Sequence, residues 1–166
     1  MSERKWFKIA YLQLHRICDQ DCIFCAQPSN GKFLNFWQVQ ELLDDLIQKE
    51  YYWVIFSGWE PSISPYLMEA ISYATEHHLH VSILSNWQWF QKKEVVEEAI
   101  ARGLQKFHIS LHSHISEIHD SVVKKEWSFK RSMKAMKNIV DAGWNLYINM
   151  TMNRYNVVYF DKSIKF

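Results

Sequence analysis

Five short β-rich runs, each followed by residues of helical periodicity, constrain this chain more than any other feature. The runs occupy residues 8–14, 52–56, 80–84, 106–111 and 146–150. After the first, Asn35 is placed to cap a helix carrying Val39, Leu42, Leu43, Leu46 and Ile47 on one face. Residues 66–78 align Leu67, Ala70, Ile71 and Ala74, and residues 93–102 form a third helical pattern stopped by Gly103. Ser128 is the expected cap of a further helix, running through Met133, Met136, Ile139 and Val140 to Gly143. Strand and helix alternating in this way predict a parallel sheet. Right-handed crossovers make it a doubly wound sheet or a TIM-like barrel, and both set their working loops at the carboxyl ends of the strands.

Length and composition fit one domain over residues 1–166: 48% hydrophobic and 22% charged, with 19 basic against 18 acidic residues. The bases are scattered, so no footprint for nucleic acid is expected. No apolar run approaches the ~20 residues of a membrane span, and the first residues have charge but no apolar signal core. All three cysteines lie in one short stretch, which is no disulfide framework and points to a reducing, cytoplasmic setting.

That stretch follows the first run, with Cys18, Cys22 and Cys25 in CxxxCxxC spacing. In a loop, three thiolates so close can converge on one soft metal centre. Three is one fewer than a closed zinc site or a fully ligated iron–sulfur cluster needs. His15 could complete a Cys₃His zinc site in a structural α/β binding module. A [4Fe–4S] cluster would instead keep one iron open. Buried structural thiols fit the clustering poorly.

The spacing resembles the signature of the radical S-adenosylmethionine (SAM) superfamily, in which an aromatic residue, here Phe24, usually precedes the third cysteine. Further motifs follow in order on successive strand ends. Ser57, Gly58, Trp59, Glu60 and Pro61 resemble the Gly-Gly-Glu-Pro motif, with Trp59 for the second glycine. Ser85, Asn86 and Trp87 resemble Ser/Thr-Asn-Gly, and Trp127, Ser128 and Phe129 resemble the Gly-Ser-Phe that opens a helix. Ser110, the pair His119 and Asp120, and Asn149 with Asn153 also fall at family-like positions. The likeness runs from about Tyr11 to Asn156. His112 and His114 alternate along an extended segment and so share a face that could bind a metal, although plain polar roles are commoner. His77, His78 and His80 are read as decorating a helix end.

The resemblance implies a partial (β/α) TIM-like barrel of about five βα units. It implies that Cys18, Cys22 and Cys25 bind a [4Fe–4S] cluster whose open iron chelates SAM. Reductive cleavage of SAM would then give a 5′-deoxyadenosyl radical that abstracts hydrogen from a substrate. Phe24 would lie near the adenine, and Gly58, Trp59 and Glu60 at the methionyl amine. Ser85, Asn86, Ser110 and Asn149 would serve the carboxylate, the ribose or the pocket wall. A low-potential donor resembling flavodoxin or ferredoxin would supply the electron. The substrate, a small molecule or a peptide, is not identified. The family's barrel normally has a sixth strand, so the chain reads as an N-terminal fragment, whose domain could bind the cluster without completing the chemistry.

Tryptophan stands at three of the family's glycine positions. Glycine totals 4 of 166 residues, where average usage of about 7% would give roughly 12, while tryptophan totals 8. If residues 59, 87 and 127 need left-handed backbone, each would be strained by about 1–2 kcal/mol. Some bacterial lineages read UGA as glycine and others as tryptophan. Translation with the wrong table would account for all three.

Overall fold

The computed structural model describes residues 7–26 and 31–166, so Trp6 and most of the expected turn at 28–31 lie outside the described residues. Strands β1 (Ile9–Gln13), β2 (Trp53–Ser57), β3 (His80–Ser85), β4 (Lys106–Ser110) and β5 (Leu146–Asn149) form one sheet in that order. Every neighbouring pair is parallel. A doubly wound sheet reverses its order at a switch point, whereas this sheet advances one strand at a time as a barrel does. It is the arc of a partial TIM-like barrel.

The helices are α1 (Phe36–Gln48), α2 (Leu67–Glu76), α3 (Lys93–Ala101), α4 (Ser116–Val123), α5 (Ser128–Asp141) and the short α6 (Phe160–Ser163). Leu12, Phe56, Ile83 and Phe107 are in register across β1 to β4. They join a core to which α1 gives Val39 and Leu43, α2 gives Ala70, Ile71 and Ala74, α3 gives Val96 and Ala99, and α5 gives Ala135 and Ile139. Asn35 caps α1 through a full capping box with Gln38. At the α3 terminus Gly103 has φ +102°, and a Cβ there would lie 2.5 Å from Thr75, so only glycine fits. β1 and β5 are the sheet edges, and Tyr11, Tyr147 and Ile148 are exposed there.

Two expectations need correcting. Helix α4 was not anticipated; at eight residues, with Glu117 and Asp120 among its apolar positions, it is too short to print a clear periodicity. Ser128 does not cap α5. The cap position is Trp127, and the Asp120 carboxylate of α4 accepts the Trp127 and Phe129 N–H groups at 2.9 and 2.7 Å. A carboxylate is a stronger acceptor than a hydroxyl and is favoured at a helix N-terminus, which leaves the Ser128 side chain free for the interior.

The three tryptophans differ. Trp87 and Trp127 each have φ 64°, in the left-handed region, whereas Trp59 does not. Trp87 is fully buried against Phe90 and Phe107, with its indole N–H donated to the His108 carbonyl at 2.7 Å. Trp127 is 62% exposed. Trp59 carries a different cost: its indole N–H is buried with no hydrogen-bond partner among the described residues.

Candidate functional site

Parallel strands bring their carboxyl ends to one rim, and a cavity of about 610 Å³ opens there. Cys18, Cys22, Cys25 and Phe24 line it from the loop after β1. Gly58 and Trp59 line it after β2, Ser85 and Asn86 at the end of β3, Ser110 at the end of β4 and Asn149 at the end of β5. Ten of the eleven residues singled out for cluster and SAM therefore face one space. The exception is Glu60.

Glu60 is fully buried, and its carboxylate ties β2 to β3. It accepts the Ser85 hydroxyl and the Asn86 N–H, each at 2.6 Å, the Ser62 N–H at 3.0 Å, and the Ser62 hydroxyl. Burial raises its pKa, and these donors pull it back. The side chain thus holds the two strand ends in place instead of lining the cavity. Gly58, with φ +108° and the Gln13 side chain 2.9 Å from where a Cβ would be, lets the backbone turn into the rim.

The cysteine loop is also fixed by α4. Asp21 and Ile23 N–H donate to the Val123 and Val122 carbonyls, C-terminal acceptors of α4 that its own helix leaves unused. Lys124 turns the chain there in a left-handed conformation and pairs with Asp21 at 2.9 Å. Cys18 Sγ accepts the Gln20 N–H at 3.4 Å and lies 3.8 Å from Asn86 Nδ2. Burial pushes the Cys18 thiol up to about 12 and the Cys22 thiol to about 11.

His112 was one of two histidines on a shared strand face, and only it reaches the cavity, with its ring 4.7 Å from Phe24. His114 instead meets Ser163 of α6. His112 Nδ1 accepts the Thr151 N–H, and His119 Nδ1 accepts the His112 N–H, so each neutral ring carries its proton on Nε2. Burial lowers both, to about 3 for His112 and about 4 for His119, with the neighbouring His119 adding to the first. Unfolded, each takes up a proton near 6.5; folded, only near 3–4. The unfolded state therefore binds more protons in between, and stability falls as pH drops from about 6.5 towards 4. Melting temperature measured from pH 7.5 to 5 should show this decline, and it should be shallower in His119→Gln.

His15 is not brought to the cysteines. It is buried beside Phe33, its Nδ1 accepts the Ile17 N–H, and it lines a separate hollow with Gln13, Arg16 and Lys32. Burial lowers its pKa, opposed by the Glu60 backbone. Among the described residues no three His, Cys, Asp or Glu side chains gather closely enough to hold a single metal ion. A four-iron cluster is larger and separates its sulfurs more widely.

Comparison with known proteins decides the family, since the profile of the radical SAM superfamily matches residues 12–166. The chain belongs to the radical SAM superfamily. Mycofactocin maturase MftC of Mycobacterium ulcerans (strain Agy99) is 28% identical over 149 residues, covering 87% of this chain and 40% of the relative. The AdoMet-dependent heme synthase of Oleidesulfovibrio alaskensis is 27% identical over 158 residues, 92% of this chain and 40% of that protein. The chain thus spans about two fifths of the curated relatives it matches. Among solved structures, Streptococcus suis SuiB bound to precursor peptide SuiA superposes with a TM-score of 0.78 at 17% identity, over 94% of this chain and 36% of SuiB. anSMEcpe with bound AdoMet and the Cp18Cys peptide gives 0.80 at 13%, over 96% and 47%. These last two show the radical SAM fold. No helix of the described residues is long and apolar enough to cross a membrane.

Radical SAM proteins use a [4Fe–4S] cluster and SAM, and the donor set here fits the cluster. Three soft thiols share one cavity, two of them half-buried and one exposed. Sequence reasoning missed Gln20, Gln88 and Thr151 around this site. Their partners lie up to 108 residues away, and no local pattern announces them. His112 was legible in principle, since period-two alternation puts it on the same side as Ser110.

Proposed function

We propose that this chain is the core of a radical SAM enzyme, with Cys18, Cys22 and Cys25 each holding one iron of a [4Fe–4S] cluster. The observation that carries this is the meeting of all three thiols with Phe24, Gly58, Trp59, Ser85, Asn86, Ser110 and Asn149 in one cavity at the carboxyl rim. When bound, the cluster and SAM supply a 5′-deoxyadenosyl radical that abstracts hydrogen from a substrate. The protein's own work is placement. Phe24 would offer its ring to the adenine, and the Gly58 and Trp59 backbone would hold the methionyl amine. Ser85, Asn86, Ser110 and Asn149 offer hydrogen bonds to the carboxylate and ribose. Glu60 acts indirectly, by holding the Ser85 and Asn86 rim. The electron would come from a flavodoxin- or ferredoxin-like donor in a cytoplasmic setting. The substrate class is a peptide or small molecule, the former favoured by neighbours solved with peptides.

The test is anaerobic reconstitution with iron and sulfide, followed by dithionite and SAM. The expected result is a brown protein that releases 5′-deoxyadenosine. His15→Ala should retain full iron, because that ring lies outside the cavity. A colourless protein that holds zinc and loses it in His15→Ala would overturn the reading. A cluster without SAM cleavage would reduce it to a cofactor-binding domain.

A further inference from the structure

Gln20 sits between two cluster cysteines and reaches a buried hydroxyl far along the chain. Its Nε2 donates to Ser128 Oγ at 2.8 Å, and its Oε1 accepts the Cys22 thiol hydrogen at 3.6 Å. Ser128 is fully buried, and its oxygen is oversubscribed. Gln88 Nε2 lies 3.2 Å from it, shared with the Asn86 and Ser128 carbonyls at 3.2 and 3.4 Å, and His119 Nε2 also points at it, at 3.2 Å. Because His119 Nδ1 accepts a backbone N–H, its Nε2 carries the proton and is a donor as well. Three donors therefore converge on an oxygen with two lone pairs, while the Ser128 hydroxyl hydrogen has no acceptor among the described residues.

That arrangement suits a protonated Cys22. It cannot persist when Cys22 binds iron, because a thiolate has no hydrogen to give and would face the lone pairs of Oε1. The oxygen and nitrogen of a glutamine amide have nearly the same shape, so turning the group over moves no other atom. Nε2 then donates to the Cys22 sulfur, and Oε1 accepts the Ser128 hydroxyl hydrogen. Ser128 keeps two donors, Gln88 and His119, for its two lone pairs. One half-turn pairs every group that was frustrated.

Resting on the cluster assignment above, we propose that Gln20 is a positioning residue that hydrogen-bonds the cluster's sulfur ligands, oriented by Ser128. Its backbone N–H already serves Cys18, so one residue addresses two of the three ligands. Donors to cluster sulfurs withdraw electron density and stabilise the form carrying the extra electron, which raises the reduction potential. Asn86 Nδ2, near Cys18 and held by Asp19 at 2.7 Å, adds to the same field. The Ser128, Gln88 and His119 network thus links the N-terminus of α5 to the ease with which the cluster takes its electron.

The experiment is an EPR-monitored redox titration of the anaerobically reconstituted chain without SAM, alongside Gln20→Met, Gln20→Glu and Ser128→Ala, with iron and sulfide measured for each. All should assemble the cluster to the same content. Gln20→Met should shift the midpoint to a more negative potential. Gln20→Glu, which can still accept from Ser128 but cannot donate to sulfur when ionised, should shift it further. Ser128→Ala should shift it in the same direction by less, because the amide loses the group that orients it. Should Gln20→Met lose iron, Gln20→Glu decides on the same reading. A midpoint unchanged in both Gln20 variants overturns the proposal, and one unchanged in Ser128→Ala overturns the orienting role. A parent chain that assembles no cluster overturns the enzyme assignment itself.

Discussion

Alanine at Cys18, at Cys22 or at Cys25 is expected to abolish cluster assembly, each by itself. These are the only thiols in the chain, so no spare can migrate in. In the proposed cluster each would serve a different iron, and removing one leaves two thiolates that close no four-iron cluster with a single open position. The fold should survive, because none of the three belongs to the buried apolar cluster under the sheet. Iron and sulfide should fall to background while the far-ultraviolet circular dichroism stays that of the parent. Full iron in any one variant would sink the ligand assignment. Unfolding in all three would leave the ligand assignment to iron analysis of the corresponding serine variants, which should also be empty.

Trp87→Gly and Trp127→Gly should move stability in opposite directions, although both relieve a left-handed backbone. That relief is worth about 1–2 kcal/mol at each site. Glycine returns part of it, about 0.5–1 kcal/mol, through the looser unfolded chain. At position 127 little else changes, since the ring is mostly in solvent, and the variant should gain roughly 0.5–1 kcal/mol. At position 87 the ring fills the core against Phe90 and Phe107 and donates to His108. Deleting it should cost about 3–5 kcal/mol in packing and about 1 more for the hydrogen bond, and after the backbone gain the net loss is roughly 3–5 kcal/mol. Urea denaturation of the two variants checks both signs. A destabilised Trp127→Gly would mean that its φ is no burden. The codons remain the direct test of decoding: UGG at 59, 87 and 127 removes the idea of misread glycines. Should they be UGA, the backbone at 127 is the position that best fits glycine, and the core at 87 has the most to rearrange.

The strands were legible because β2 is a continuous apolar run of strand length and β4 alternates buried Phe107 and Ile109 with polar residues. Asn35 and Gln38 announced the start of α1 because a capping box is local chemistry. The cysteines needed only their spacing. Ser128 misled, since its residue type fits a cap and the carboxylate that took the role arrives from α4. Glu60 misled in another way: a motif gives its order along the chain, not whether the side chain turns to the cavity or beneath it. Gln20 and Gln88 were opaque because what they do depends on one buried oxygen that only the folded chain brings near.

The hydrogen bonds from Asp21 and Ile23 to the end of α4 also set an order of events. The cysteines leave the ribosome before the carbonyls that hold their loop, which belong to residues made about a hundred positions later. Closing so long a loop is entropically affordable but slow, since it must await the intervening strands. Through that interval the thiols are solvated, with ordinary acidity, and open to oxygen and to stray metals alike. Iron delivered early would meet a pliable segment; iron delivered late, a finished socket. The timing of synthesis thus bears on maturation as directly as the geometry does.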